Sequence, residues 1–147
     1  MFKLRHLLLL IAIALPISSA TEMDGGFIVR QLADFEWDTS NTRIQTQVLF
    51  GNPSEPGLYI VRNRFPPGMS STPHFHSQDR FVTVIEGVWY AGTDDSHDME
   101  KTVPIPAGGF MIHPAGAVHY DGARDVPAVV EIRGMGPVTT TQVGGNN

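Results

Sequence analysis

The chain contains no cysteine, which removes disulfides, thiolate metal sites and cysteine nucleophiles together. Any metal would have to sit on nitrogen and oxygen. Positive charge is also scarce: of the ten Lys and Arg, two fall in the first twenty residues, so eight face all fifteen Asp and Glu in the remainder, a formal net charge of −7 there. That balance argues against nucleic acid as a partner, because phosphate binding needs a basic face. No internal repeat, phosphate loop, Ser-His-Asp order or paired-carboxylate pattern stands out, and no sustained helical period runs through the chain. Fifteen glycines and eleven prolines make long helices a poor expectation.

The one sizeable apolar run is Leu7 to Leu15. It comes after a basic start at Lys3, Arg5 and His6, is ended by Pro16, and precedes the small residues Ser18, Ser19 and Ala20. This reads as a signal peptide over 1–20 cleaved after Ala20, the apolar run being too short for a convincing membrane span. The alternative is an uncleaved anchor. Export puts the chain in the periplasm or outside the cell, with no membrane span after cleavage. The remainder of the chain, from Thr21 onward, suffices for one domain with a sizeable core, not for two.

Residues 21–43 read as an extended lead-in packed at the domain edge. A domain over 44–143 then carries short Val-, Ile-, Phe-, Tyr- and Thr-rich segments punctuated by Gly, Pro, Asn and Asp. Strands are expected over Ile44–Phe50, Leu58–Phe65, Thr72–His76, Phe81–Glu86, Val88–Gly92, Thr102–Ile105, Phe110–His113, Ala117–Tyr120, Val126–Arg133 and Val138–Val143. About ten short strands with turns between them indicate an all-β antiparallel sandwich or barrel. The tail 144–147 reads as frayed. The acidic loop Thr93 to Glu100, with His97 among Asp94, Asp95, Asp98 and Glu100, lacks calcium-loop spacing and reads as solvated.

Chemistry concentrates in Gly68 to Gly87, GMSSTPHFHSQDRFVTVIEG. His74 and His76 are two apart, so in a strand both imidazoles face the same space and can offer nitrogen to one metal ion. His119, in GGFMIHPAGAVHY, is the third candidate. The run Gly68, His74, His76, Arg80, Gly87 resembles the first signature of the cupins, which has Glu where Arg80 stands. The run Gly108, Pro114, Gly116, His119, Ala123 resembles the second, which ends in Asn. The resemblance covers roughly Trp37 to Pro137 and implies a double-stranded β-helix, or jelly-roll, cupin barrel. It implies metal-ligand roles for His74, His76 and His119, and no such role for Arg80, whose guanidinium has no lone pair to give.

A fixed charge at Arg80 beside a metal needs an anion near it: a substrate carboxylate or enolate, Glu131 or Asp79. Three readings of the histidines stand open: a three-histidine metal face, the same face completed by Gln78 or Asp79, or a metal-free pocket in which Arg80 replaces the cation. His113 reads as a hydrogen-bonded core histidine rather than a fourth ligand. Trp89 and Tyr90 read as packing residues. Tyr120 and Asp121 are placed to orient His119 or to act as acid or base, and Tyr120 joins Arg80 as a catalytic candidate. Arg62 and Arg64 either join Arg80 in holding an anion or pair with carboxylates on a solvated face.

The function expected is that of a metal-dependent enzyme acting on a small anionic organic molecule, with dioxygenase-like chemistry on Fe(II), or isomerase or lyase chemistry with Mn, Ni or Zn as Lewis acid. The rival is a non-catalytic module binding a small ligand, sugar or metal. Homodimerisation is open, since the apolar residues of 27 to 37 could cover a partner's sheet edge.

Overall fold

The computed structural model describes residues 21–31 and 34–144. The expected signal segment 1–20 and residues 145–147 of the expected frayed tail lie outside the described residues. The chain divides into two compact units, Met1–Phe35 and Glu36–Asn147. In the first, β1 (Thr21–Met23) and β2 (Phe27–Val29) pair antiparallel. Their turn passes through Gly25 and Gly26 at φ +84° and +79°, a region glycine enters without steric cost. Part of the expected extended lead-in is therefore a hairpin.

The second unit carries β3 (Gln45–Phe50), β4 (Gly57–Phe65), β5 (His74–His76), β6 (Arg80–Glu86), β7 (Val88–Gly92), β8 (Val103–Pro106), β9 (Phe110–His113), β10 (Tyr120–Gly122), β11 (Ala128–Gly136) and β12 (Thr140–Gln142). They form a five-stranded sheet in the order β3-β4-β11-β6-β9, a three-stranded sheet β10-β7-β8 and the pair β12-β5. Every strand pairing is antiparallel. This is the expected all-β jelly roll. Pro104 and Pro106 sit on β8, which pairs only with β7 among the described strands, as residues without a backbone donor require.

Alternation sets the core. On β6, Val82 and Val84 are buried while Phe81 and Ile85 are exposed on the other face. Val82, Val84, Tyr59, Val61, Phe65, Val130, Ile132 and Trp89 pack into one interior cluster. Removing a side chain of this size from water stabilises the fold by about 1.5–3 kcal/mol each. Arg80 shares the parity of Val82 and Val84 and so points to the interior side of β6.

Gly87 makes the β6–β7 reversal at φ +73°, and a Cβ there would lie 2.2 Å from the Pro127 carbonyl oxygen. One expected strand is displaced. Residues 117–119 do not form it: Gly116, at φ +76°, sits in a turn closed by Ala117 N–H donating to the Pro114 carbonyl at 3.1 Å. The strand begins only at Tyr120.

Candidate metal centre

His74 and His76 occupy both ends of the three-residue strand β5 and are buried, with Phe75 between them on the opposite side. His119 is drawn onto β5 by backbone pairing. His74 N–H donates to the His119 carbonyl and His119 N–H to the His74 carbonyl, both at 2.9 Å. This is a hydrogen-bonded antiparallel pair, and it places the two side chains on one face. The three ring centroids lie 4.4, 4.8 and 5.2 Å apart, and one donor atom from each residue falls within 4.8 Å of the others.

The outer hydrogen bonds fix which nitrogen is free. His74 Nδ1 lies 2.7 Å from the Thr72 carbonyl, and His119 Nδ1 lies 2.9 Å from the Ala117 carbonyl. A carbonyl only accepts, so each Nδ1 carries the proton and each Nε2 keeps its lone pair. His119 Nε2 is buried with no hydrogen-bond partner. This orientation by backbone carbonyls is how metal-bound histidines are held, and the donor set fits a divalent cation.

His76 differs. Its Nε2 accepts a hydrogen bond from Arg80 Nη1, and its Nδ1 stands 3.0 Å from Thr140 Oγ1 on β12. Because guanidinium only donates, the His76 proton sits on Nδ1 and Thr140 accepts it. Burial first, then the charge of Arg80 and the neighbouring His74 and His119, push the His76 imidazole down to about 3. Burial likewise lowers His119. His76 and His119 are therefore neutral near pH 7, as ligands must be.

Neither Glu131 nor Asp79 is the anion beside Arg80. Glu131 lies on the far face of β11, accepting from Arg62 at 3.0 Å and Arg133 at 2.6 Å. Asp79 accepts the Ala115 N–H at 2.8 Å and, with Gln78, lines a separate cavity. Neither Gln78 nor Asp79 completes the three-histidine face. Burial lowers the Arg80 guanidinium, and Tyr59 and then Asp121, the latter buried at 6 % exposure, act against that. Asp121 is held by Ser71, whose Oγ reaches Asp121 Oδ1 at 3.2 Å and accepts the Asp121 N–H at 3.0 Å.

Several expectations change accordingly. Tyr120 is not brought to the histidines: it is fully buried, its hydroxyl donates to the Asp98 carbonyl at 2.8 Å, and Ser96 Oγ lies 3.2 Å away. Arg62 does not join Arg80, because it pairs with Glu131 across β4 and β11. Arg64, two residues along the same strand, shares that parity. His113 is a core residue at 3 % exposure, but neither ring nitrogen has a hydrogen-bond partner. Its ring lies 3.8 Å from that of His119 and 5.6 Å from that of Trp89. Burial first, then His119 and Arg80, push it down to about 2.

A cavity of about 460 Å³ opens onto the site, lined by Tyr59, Asn63, His74, His76, Arg80 and Thr140 among others. That volume admits a small organic molecule. Arg80 is the fixed cation in this lining, and Asn63, Thr46, Thr72 and Gln142 supply neutral polar groups. A smaller inner space of about 80 Å³ touches His74, Arg80, His113 and Asp121.

No family model matches the chain. A germin-like protein of Arabidopsis thaliana, subfamily 3 member 2, is 30% identical over 92 residues, which is 62% of this chain and 36% of that protein. Among solved structures, a cupin 2 domain-containing protein from Halorhodospira halophila aligns over 76% of this chain and 79% of its own, at 18% identity and a TM-score of 0.59. DMSP lyase DddQ from Ruegeria pomeroyi aligns over 69% of this chain and 52% of its own, at 17% identity and a TM-score of 0.58. The chain thus spans about a third of the germin-like protein and about half of the lyase. With the jelly roll in place and both motif segments meeting at His74, His76 and His119, the chain has a fold like that of these cupin structures.

Proposed function

We propose that this chain is an exported metal-binding cupin, a metal-dependent enzyme that acts on a small anionic organic molecule. The observation that carries this reading is the convergence of His74, His76 and His119, with the Nδ1 protons of His74 and His119 fixed by the Thr72 and Ala117 carbonyls. A divalent ion on these residues, Fe(II) first with Mn, Ni or Zn as alternatives, would supply Lewis-acid or dioxygenase-like chemistry. Arg80 supplies the rest. A bound carboxylate or enolate competes with His76 for the guanidinium, and drawing it away releases His76 Nε2 for ligation. Arg80 then holds the substrate in its deprotonated form.

Export rests on the sequence of residues 1–20, and mass spectrometry of secreted material, expected to begin at Thr21, tests it. Exposure of Phe27 and Ile28 at 69% and 52% supports a homodimer that covers them, which sedimentation would read. The experiment for the site is metal titration of chelator-free protein with Fe(II), Mn(II), Ni(II) and Zn(II), followed by oxygen uptake with a panel of β-diketones, thiols and phenolic acids. Stoichiometric binding lost in His119→Ala, and metal-dependent turnover lost in His74→Ala, is the expected result. Failure of all four metals to bind sinks it.

One observation favours a second reading. Arg80 sits on His76 Nε2, so the same pocket works as a metal-free anion binder with Arg80 as its cation. Thermal stabilisation by organic acids in the presence of chelator, without turnover, would select that reading.

A further inference from the structure

His119 is the corner of two donor sets. One is His74, His76 and His119; the other is His113, His119 and Asp121, also wholly buried, with one donor atom from each within 4.8 Å of the others. The second set carries an anomaly that the first does not explain. His113 is 3 % exposed, and neither Nδ1 nor Nε2 has a hydrogen-bond partner. A buried polar atom left unpaired costs about 1–3 kcal/mol, and an imidazole needs at least one donor bond when neutral. His119 Nε2, the lone pair facing His113 and the first set alike, is equally without a partner.

The two sets differ in charge and in competition. The first consists of three imidazoles with no carboxylate, and one of them is already engaged by a guanidinium. The second contains a carboxylate, and its two imidazoles bear no hydrogen bond on the nitrogens that would ligate. Two histidines and one carboxylate form a donor set suited to a divalent first-row metal with positions left open. A cavity of about 430 Å³ reaches His113 and His119 from a side that does not include His74, His76 or Arg80, while Asp121 meets His113 in the inner space of about 80 Å³ that Arg80 also lines.

We propose that His113, His119 and Asp121 form a second cation site, which holds the divalent ion while Arg80 occupies His76. This goes beyond the three-histidine reading and shares only His119 with it. Since one lone pair of His119 serves one ion, the chain binds a single cation at either position, and Arg80 decides which. With no substrate anion present, the guanidinium stays on His76 and the ion rests on the inner set.

The test uses the full chain, Co(II) and no organic acid, with affinity read by calorimetry and fold by circular dichroism. His113→Gln and Asp121→Asn should each weaken Co(II) binding by about tenfold or more, whereas His76→Ala should change it by less than about threefold. Copper(II) bound to the unmutated chain should show coupling to two ring nitrogens by electron paramagnetic resonance, a reading that needs no variant. Loss of binding in His76→Ala with folded His113→Gln and Asp121→Asn unchanged would overturn the inner site and leave the three-histidine reading standing. Equal loss in all three variants would mean one mixed site and also overturn it. No binding by the unmutated chain would overturn both readings.

Discussion

Arg80 and His113 are direct cross-strand partners, paired in register between β6 and β9. The Arg80 cation therefore stands beside the histidine whose ring nitrogens have no partner. Its charge helps keep His113 neutral. At the same time its Nη1 engages His76. A single substitution at one register position thus acts on two imidazoles.

Replacing Arg80 by Gln frees His76 Nε2 and removes a charge adjacent to the ion. Calorimetry should show Co(II) or Mn(II) affinity rising by about tenfold or more, since a like charge at this range costs several kcal/mol even at an intermediate dielectric. Affinity for an organic acid should fall in the same variant. A drop in metal affinity would mean that Arg80 supports the site structurally.

His119→Ala removes the one residue common to both donor sets. Metal binding should disappear, with a further loss of stability of about 2 kcal/mol or more from the space left in the core. His74→Ala removes a ligand of the three-histidine set alone. Titration of both variants, with unfolding followed by denaturant, separates the ligand effect from the packing effect.

Acid should destabilise the metal-free fold well above the usual carboxylate range. The folded His76 and His113 imidazoles lie at about 3 and about 2, against about 6.5 in the unfolded chain. Between those values the unfolded chain binds more protons than the folded one, so stability rises with pH through that window and levels off above about pH 6.5. Each histidine contributes a slope of about 1.4 kcal/mol per pH unit. Melting temperature of chelator-treated protein should therefore fall steadily from pH 7 to pH 4. His113→Gln should flatten the slope, with His76 and His119 keeping the rest.

Tyr120→Phe deletes the hydroxyl that donates to the Asp98 carbonyl. Stability should fall by about 1 kcal/mol, the ordinary net worth of such a bond, and metal affinity should stay within about twofold. A large loss of turnover at full stability would restore Tyr120 to the reaction.

Much of this molecule is legible in the sequence alone. The glycine and proline punctuation marks nearly every strand, and the two-residue spacing of His74 and His76 sets their common face. Where reading along the chain goes astray, the cause is parity. The turn at Gly116 delays the strand until Tyr120, so His119 and Asp121 share the inner side and Tyr120 turns away. Of the pair Tyr120 and Asp121 that the sequence offers beside His119, counting two from His119 selects Asp121. His113 offers less signal, because a histidine before a proline looks the same with its ring paired or unpaired. Glu131 and Arg62 are equally ambiguous until the register of β11 against β4 puts them opposite each other on the far face.

The hydroxyl that accepts the His76 proton arrives late in synthesis. Thr140 lies 64 residues after His76, and among the described strands only β12 forms a sheet with β5. A nascent chain that has emerged only through β11 carries all three histidines but lacks the group that sets the tautomer of His76. The pocket acquires its final ligand geometry only once residues 140–142 have been made and have docked, so a cation met earlier encounters a different binding surface from the one the finished chain presents.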